Sequence, residues 1–180
     1  ADQIRVPAEH VAAVEAALGR LLLWVITRQA TDARSILASL SDGKKGRADI
    51  VALDLVSGGA PPSLDAAKLS DFGGVAALGQ VGCDDAFRPL LDRLLGRLVI
   101  VPDLDVAIRG REQHRDLDFV TCAGELLSRH GVFSGGRGNG NASASLLARK
   151  NEIAGLGKEL EGLDKNVDEL SHEKGDLQGE

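Results

Sequence analysis

The sequence predicts an α+β domain of two α/β-like, pseudo-repeated lobes, followed by a C-terminal coiled-coil helix. Three observations support this fold class. A helix–Leu-Gly-Arg–strand–helix pattern occurs twice, 43% of the 180 residues are hydrophobic, and leucines recur at heptad spacing toward the C-terminus. We place the globular domain at residues 1–141, with lobe one at about 1–56 and lobe two at about 72–141, and the helical arm at 142–180.

The first lobe is predicted to alternate helices and strands. Residues 7–19 carry apolar side chains at helical spacing and end in a glycine. The apolar run at residues 21–27 (LLLWVIT) has the length of a strand, and we expect it to be covered on both faces. Asp32 is expected to cap a second helix, and residues 50–53 are expected to form a second strand. This βαβ order favours a layered domain.

The second lobe repeats this pattern 77 residues later. Residues 17–21 (ALGRL) align with residues 94–98 (LLGRL), and a strand is expected to follow at 98–101. Asp103 or Asp105 is expected to begin the next helix. Chance similarity between leucine-rich helices is the alternative to a true repeat. Between the lobes, residues 54–72 contain paired glycines and prolines and are expected to form a surface connection.

The end of lobe two carries the feature on which the functional interpretation depends. Residues 119–122 (FVTC) predict a strand, Gly124 a turn, and residues 126–127 a second extended segment. A short segment then closes on Gly131, Gly135 and Gly136. Glycine at the end of a strand allows a positive φ or the close approach of another backbone. Such positions suit an interface between strands of two chains; glycines that only make turns are the alternative.

From residue 142 the sequence changes to a polar helix with an a/d heptad seam. Five glycines interrupt it, each costing about 1 kcal/mol relative to alanine. We therefore expect this helix to need a partner that covers its seam. The seam residues are Leu146, Ile153, Leu156, Leu160, Leu163, Val167, Leu170 and Leu177.

Net charge argues against a strongly basic nucleic-acid module, and the motifs argue against an enzyme. The net charge is −6, and residues 146–180 hold 5 basic and 9 acidic residues, so the remainder is only slightly acidic. The glycine run at 135–140 lacks the Lys-Ser/Thr of a P-loop, and no histidine stands at metal or triad spacing. We expect no catalytic residue, no metal and no cofactor.

The two cysteines, Cys83 and Cys122, lie far apart and have apolar neighbours. Isolated cysteines of this kind are more often buried thiols than a disulfide. No signal peptide heads the chain, and no apolar run approaches the length of a membrane span. These features predict a soluble protein of a reducing compartment.

The order of these motifs resembles the hinge domain of structural maintenance of chromosomes (SMC) proteins. The resemblance rests on Phe-Val-Thr-x-x-Gly-Glu at residues 119–125 and Gly-x-x-Ser-Gly-Gly at 131–136, followed by the heptad helix, and it spans residues 4–180. It implies two related α/β lobes in one chain that dimerise through strand edges. A family hinge normally begins with an additional strand and an incoming coiled-coil arm, and we expect neither before Pro7.

The resemblance also implies the site. Three glycines match the glycine motif that lies at the hinge dimer interface: Gly131, Gly135 and Gly136. His130 stands where many members have another glycine. Three further glycines occupy a comparable position at the start of lobe two and are expected to line the opposing side: Gly73, Gly74 and Gly79.

By this resemblance, the chain is expected to be the homodimerisation hinge of a bacterial SMC ATPase of chromosome condensation and segregation, cytoplasmic and nucleoid-associated. Its ATPase heads would lie outside this chain. The implied partners are a second copy, the antiparallel N-terminal arm of the same parent chain and, weakly and without sequence preference, DNA. Candidate phosphate contacts are Lys44, Lys45, Arg47, Arg129, Arg137, Arg149 and Lys150; solvated surface charge is the alternative.

Two other functions stay open from the sequence. The first is a small α/β nucleotide- or metabolite-binding enzyme domain with a helical tail. The second is a general coiled-coil scaffold whose globular part only caps the helices, in which case the helical tail and not the globular domain would carry dimerisation.

Overall fold

A computed structural model describes residues 3–56, 64, 69–136 and 146–178, with side chains in the last segment described for residues 147–167. The chain forms two compact units, Ala1–Ala142 and Ser143–Glu180. Nine strands are described: β1 Ile4–Arg5, β2 Val25–Thr27, β3 Ile50–Ala52, β4 Val75–Ala76, β5 Gly82–Cys83, β6 Leu98–Val101, β7 Asp118–Thr121, β8 Leu126–Leu127 and β9 Phe133–Ser134. The α-helices whose bounds are described are α1 Val11–Leu18, α2 Ala30–Asp42, α3 Arg88–Leu95, α4 Leu104–Gln113 and α5 Leu146–Gln178.

The first unit is organised around a five-stranded sheet in the order β4-β6-β7-β8-β9. Strands β6 and β7 are parallel, and the other neighbours are antiparallel. Alternate residues of a strand point to opposite faces, and both faces of β6 and β7 are buried. On one face, Val99 and Phe119 join a core cluster with Val106 of α4. Helix α1 also packs against β7 and β8.

Helix α1 therefore belongs to lobe one by sequence but packs against the sheet of lobe two. Strand β1 likewise pairs with β5 of the second half. The lobe boundaries stay a prediction about how the sequence divides. In the folded domain, α1 and β1 of the first lobe pack against elements of the second lobe. The strand at Ile4–Arg5 corrects the expectation that none precedes Pro7.

The repeat is visible in two parallel βαβ units, β2-α2-β3 and β6-α4-β7. In each unit two residues separate the first strand from its helix. An ion pair also recurs, since Arg20 lies 3.8 Å from Asp49 and Arg97 lies 3.6 Å from Asp116. Both arginines are those of the Leu-Gly-Arg motif, so the repeated pattern corresponds to repeated structure.

The predicted strand at residues 21–27 is wrong in extent and in burial. Gly19–Leu23 is a 3-10 helix that begins at a glycine with φ +47°, and only Val25–Thr27 is extended. The strand consequently starts later than its counterpart β6. Val25 is 44% exposed, so this strand is not covered on both faces.

Other expectations are confirmed or corrected locally. Asp103 caps α4, because its Oδ1 accepts the N–H of Val106 at 2.8 Å. Asp32 does not cap α2; it lies in the first turn, and Asp54 Oδ2 accepts the N–H of Ala30 at 3.0 Å. The second strand ends at Ala52, since Leu53–Leu55 is a 3-10 helix. Of the predicted connection at 54–72, residues 57–63 and 65–68 lie outside the described residues.

Both cysteines are free thiols, as predicted, but burial was predicted wrongly for one of them. Cys122 is exposed because it lies in the turn after β7, where the chain leaves the sheet. Cys83 is half-buried, and burial raises the pKa of its thiol.

The second unit contains α5, the predicted long helix. Its described seam side chains are all exposed, which is the condition expected of a heptad seam without its partner. These are Ile153, Leu156, Leu160, Leu163 and Val167. Among the helices that the structure describes, none combines the length and apolarity that crossing a bilayer requires.

Candidate dimer interface

The clearest candidate interface is β9, the last strand of the main sheet. One side of β9 pairs with β8, through Leu126–Ser134 and Leu127–Phe133. Its other side has no strand partner among the described residues. Every residue from 131 to 136 is exposed, including Val132 at 58% and Phe133 at 57%. An exposed apolar edge strand is a template for pairing with another chain.

Glycines flank this edge, and each has a geometric reason. Gly131 has φ +80°, and a Cβ there would lie 3.3 Å from Arg111 Nη2. Gly136 has φ +108° and faces open space. A Cβ at Gly135 would lie 3.3 Å from the Glu125 side chain. Backbone at such positions can be approached closely by a second chain.

Glu125 is itself fixed by the Val-Thr-x-x-Gly-Glu segment. Its backbone N–H donates to Thr121 Oγ1 at 3.1 Å, and Thr121 Oγ1 donates to its carboxylate at 3.3 Å. Gly124 has φ +87°, and a Cβ there would lie 3.3 Å from the carbonyl oxygen of Ala12 in α1. The motif thus forms the β7–β8 turn and lets α1 approach it.

The other three predicted glycines lie at or near the opposite edge of the same sheet, where β4 is the outer strand. Gly73 has φ +74° and Gly79 faces open space. Gly74 is buried: a Cβ there would lie 2.6 Å from a Phe72 ring carbon and 2.9 Å from Val99 Cγ1. Packing within the chain therefore already requires Gly74, whatever it contacts in a dimer.

A sequence profile described as "SMC proteins Flexible Hinge Domain" matches residues 1–111. The chain belongs to the SMC hinge-domain family. It is 33% identical over 172 residues to the "Chromosome partition protein Smc" of Halothermothrix orenii and 31% identical over 171 residues to that of Chlorobaculum tepidum. These matches cover 94% and 95% of this chain and 14% of each relative. The chain thus spans about one seventh of the curated relatives it matches.

Solved SMC hinges have the same fold. An asymmetric dimer of the Geobacillus stearothermophilus SMC hinge domain superimposes with a TM-score of 0.81 at 28% identity, covering 95% of this chain and 69% of that one. A Pyrococcus furiosus Smc hinge domain with an extended coiled coil gives 0.64 at 22% identity, covering 96% and 60%. The second likeness concerns the fold alone. As an SMC hinge, the chain is not a catalytic domain.

Sequence reasoning missed a second set of exposed apolar side chains on this SMC hinge, which we call the first-lobe apolar face. Its members lie on or next to the two-stranded β2–β3 sheet and on α2, a helix in which no residue is fully buried. Leu23 is 68% and Leu55 is 72% exposed. The remaining members are Val25, Ile26, Ile36 and Leu37. An apolar run indicates that a segment will be covered, but not whether its own chain or a partner covers it.

The candidate phosphate contacts come from several separate segments of the chain. Lys44, Lys45 and Arg47 are exposed in the loop between α2 and β3. Arg129 lies in the turn before β9, and Arg137 lies outside the described residues. Arg149 and Lys150 belong to α5, in the second compact unit.

The enzyme alternative depends on metal ligands or on a polar pocket. No group of three potential metal ligands occurs among the described residues. A cavity of about 60 Å³ is lined mainly by Leu18, Trp24, Leu91 and neighbouring apolar side chains, and no lining residue is ionisable. Two wider surface depressions have volumes of about 350 Å³, beside Ser39 and Lys45, and about 490 Å³, beside Arg20 and Asp49.

Proposed function

We propose that this chain is the homodimerisation hinge of an SMC chromosome-partition protein and joins two coiled-coil arms. The observation that carries the proposal is β9, an exposed apolar edge strand with glycines at both ends. The related Geobacillus stearothermophilus hinge, which was solved as a dimer, supports it.

The proposed contact is addition of a strand from the second copy to β9. Backbone hydrogen bonds would supply affinity, and Phe133 and Val132 would be buried against the partner. A two-fold dimer that joins β9 of each protomer to a different edge of the other buries four edges in two equal contacts. Such an assembly closes on itself and does not polymerise. We assign the opposing side to the β4 edge, with Gly73, Gly74 and Gly79.

The test is sedimentation equilibrium of the chain and of Gly135→Glu/Gly136→Glu. A dimer of the 18.8 kDa chain has a mass of about 38 kDa, and we expect the double variant to be a monomer because two carboxylates would be placed at the pairing edge. The matched control is Gly155→Glu/Gly157→Glu on α5, where both glycines face open space. If the control variant dissociates and the edge variant does not, the coiled-coil scaffold is correct.

A second pair of variants locates the opposing side. Val75 in β4 and Ile26 in β2 are both partly exposed apolar strand residues. Val75→Lys should weaken the dimer if β4 is the opposing edge. Loss of the dimer in Ile26→Lys instead would move the contact to the first-lobe apolar face and contradict the assignment of Gly73, Gly74 and Gly79.

The remaining roles concern the whole parent protein. We propose that α5 is the outgoing arm and that an antiparallel N-terminal arm of the same parent covers its exposed seam. The ATPase heads would then lie outside this chain, and the protein would act in the cytoplasm at the nucleoid. Titrating the chain with duplex DNA at several salt concentrations tests the DNA contact. Phosphate binding predicts a steep loss of affinity with salt, reduced in Lys44→Glu/Lys45→Glu.

A further inference from the structure

The backbone of Arg129, in the turn before β9, is held by two charged side chains, one at its N–H and the other at its carbonyl oxygen. The backbone N–H of Arg129 donates to Asp118 Oδ1 at 2.7 Å. Its carbonyl oxygen accepts from Arg111 Nη2 at 3.1 Å. Asp118 begins β7 and Arg111 lies in the last turn of α4, so both come from elements that contribute buried residues to the core.

We propose that Arg111 and Asp118 are positioning residues for the dimer interface, which hold the turn at residues 128–131 so that β9 is presented in one register. The inference rests on the proposed hinge function. It concerns residues that do not themselves lie on the pairing edge but would hold that edge in place before a partner arrives.

Strand β9 needs such support because it is short and exposed. It has two residues, both exposed, and within the described part of the chain it has one strand neighbour. The turn itself is tight: Gly131 N–H donates to the Ser128 carbonyl at 2.8 Å, and Val132 N–H donates to Ser128 Oγ at 3.1 Å. These bonds fix the turn internally, whereas Arg111 and Asp118 tie it to the core. Ordering an edge before association lowers the entropy cost of binding.

The geometry of Arg111 fits positioning better than stability alone. Its Nε is shielded from solvent and finds no hydrogen-bond acceptor among the described residues, which is unfavourable for the fold. Its Nη2 reaches the Arg129 carbonyl beneath Gly131, where a side chain would meet that nitrogen at 3.3 Å. Arg111 and the glycine are therefore matched, and Gly131 is needed by the turn as well as by any partner.

The experiment compares Arg111→Met with Arg109→Met. Methionine keeps an apolar stem but removes the guanidinium, and Arg109 is an exposed arginine on the same helix. Amide hydrogen exchange is followed at Ser128 and Gly131, whose N–H groups bond within the chain, and at Phe119 in the core. Sedimentation equilibrium gives the dimer Kd of each protein.

For Arg111→Met we expect exchange at Ser128 and Gly131 to become about tenfold faster and the dimer Kd to rise about tenfold, as for loss of one charged hydrogen bond. Exchange at Phe119 and every value for Arg109→Met should match the unmodified chain. Asp118→Ala should behave as Arg111→Met does. Asp118→Asn, which keeps an acceptor oxygen for Arg129, should recover most of the affinity.

Three results would overturn the inference while leaving the hinge intact. They are a dimer whose Kd is unchanged in Arg111→Met, turn amides that exchange at the original rate, and equal acceleration at Phe119, which would mean a general loss of stability. An unmodified chain that stays monomeric would instead refute the proposed function. The positioning role would then be refuted as well, because it rests on the dimer.

Discussion

Replacing Gly110 by alanine should improve the helix propensity of α4 but crowd the core beside it. Gly110 lies inside α4, where alanine is about 1 kcal/mol more favourable than glycine. However, an added Cβ would lie 2.8 Å from Phe119 Cε1 and 3.2 Å from Phe119 Cζ. Atoms at these distances cannot coexist without displacement of the Phe119 ring or of α4.

The ring lies in the packed core of the sheet. Phe119 is fully buried, and it packs edge-on against Phe72 with ring centroids 6.3 Å apart. The same Cβ would also lie 3.4 Å from Phe72. Overpacking a dense core costs about 1–3 kcal/mol, which exceeds the gain in propensity. We therefore expect Gly110→Ala to lower the free energy of unfolding by about 1 kcal/mol, the difference between these two terms.

Urea unfolding followed by the fluorescence of Trp24, the single tryptophan, measures this change. Gly82→Ala is the control: its Cβ would make only an ordinary contact, 3.7 Å from Arg5 Cβ, so it should be neutral or slightly stabilising. The decisive comparison uses Phe119→Leu as background, where the clashing ring atoms are absent. There Gly110→Ala should become stabilising, and the same sign in both backgrounds would refute the argument.

Three further changes test local chemistry. Asp103→Ala should lower the free energy of unfolding by about 1 kcal/mol because Val106 N–H loses its capping acceptor, whereas Asp103→Ser should recover most of it in the same urea experiment. Thr121→Val keeps the shape of a buried side chain but leaves the Glu125 N–H without its acceptor, and calorimetry should show a loss of about 1–3 kcal/mol. Burial raises the pKa of Cys83, so less thiolate is present at a given pH. The alkylation rate of Cys83, measured with the other cysteine replaced by serine, should therefore reach half its maximum at a higher pH than the rate of a thiol in an unstructured peptide.

Local signals in the sequence were sufficient for much of the second half. Asp103 is followed by an apolar helical pattern and does cap the helix, and the turn predicted at Gly124 has φ +87°. These features depend on neighbouring residues only. By contrast, the N–H of Ala30 is satisfied by Asp54, which lies 24 residues away. No local pattern reports such a pair, which is why Asp32 was predicted instead.

The candidate interface was likewise predictable from the sequence only where it depends on neighbouring residues. Glycines near strands could be located from the sequence, but the sheet order that makes β9 and β4 the two outer strands depends on long-range pairing. Gly74 shows the limit: a glycine required by the Phe72 ring looks, in sequence, like one required by a partner. The first-lobe apolar face was missed because apolar residues that are exposed and apolar residues that are buried follow the same pattern.

The packing of α1 on β7 and β8 has a consequence for synthesis on the ribosome. The helix leaves the ribosome about a hundred residues before the strands that cover it. At translation rates of about 5–20 residues per second, its apolar face stays without these strands for roughly 5–20 seconds. A nascent first lobe therefore cannot complete its folding as an independent module. Bringing together contacts so distant in sequence is slow, and during that interval the emerging chain presents an apolar helix that a chaperone can bind.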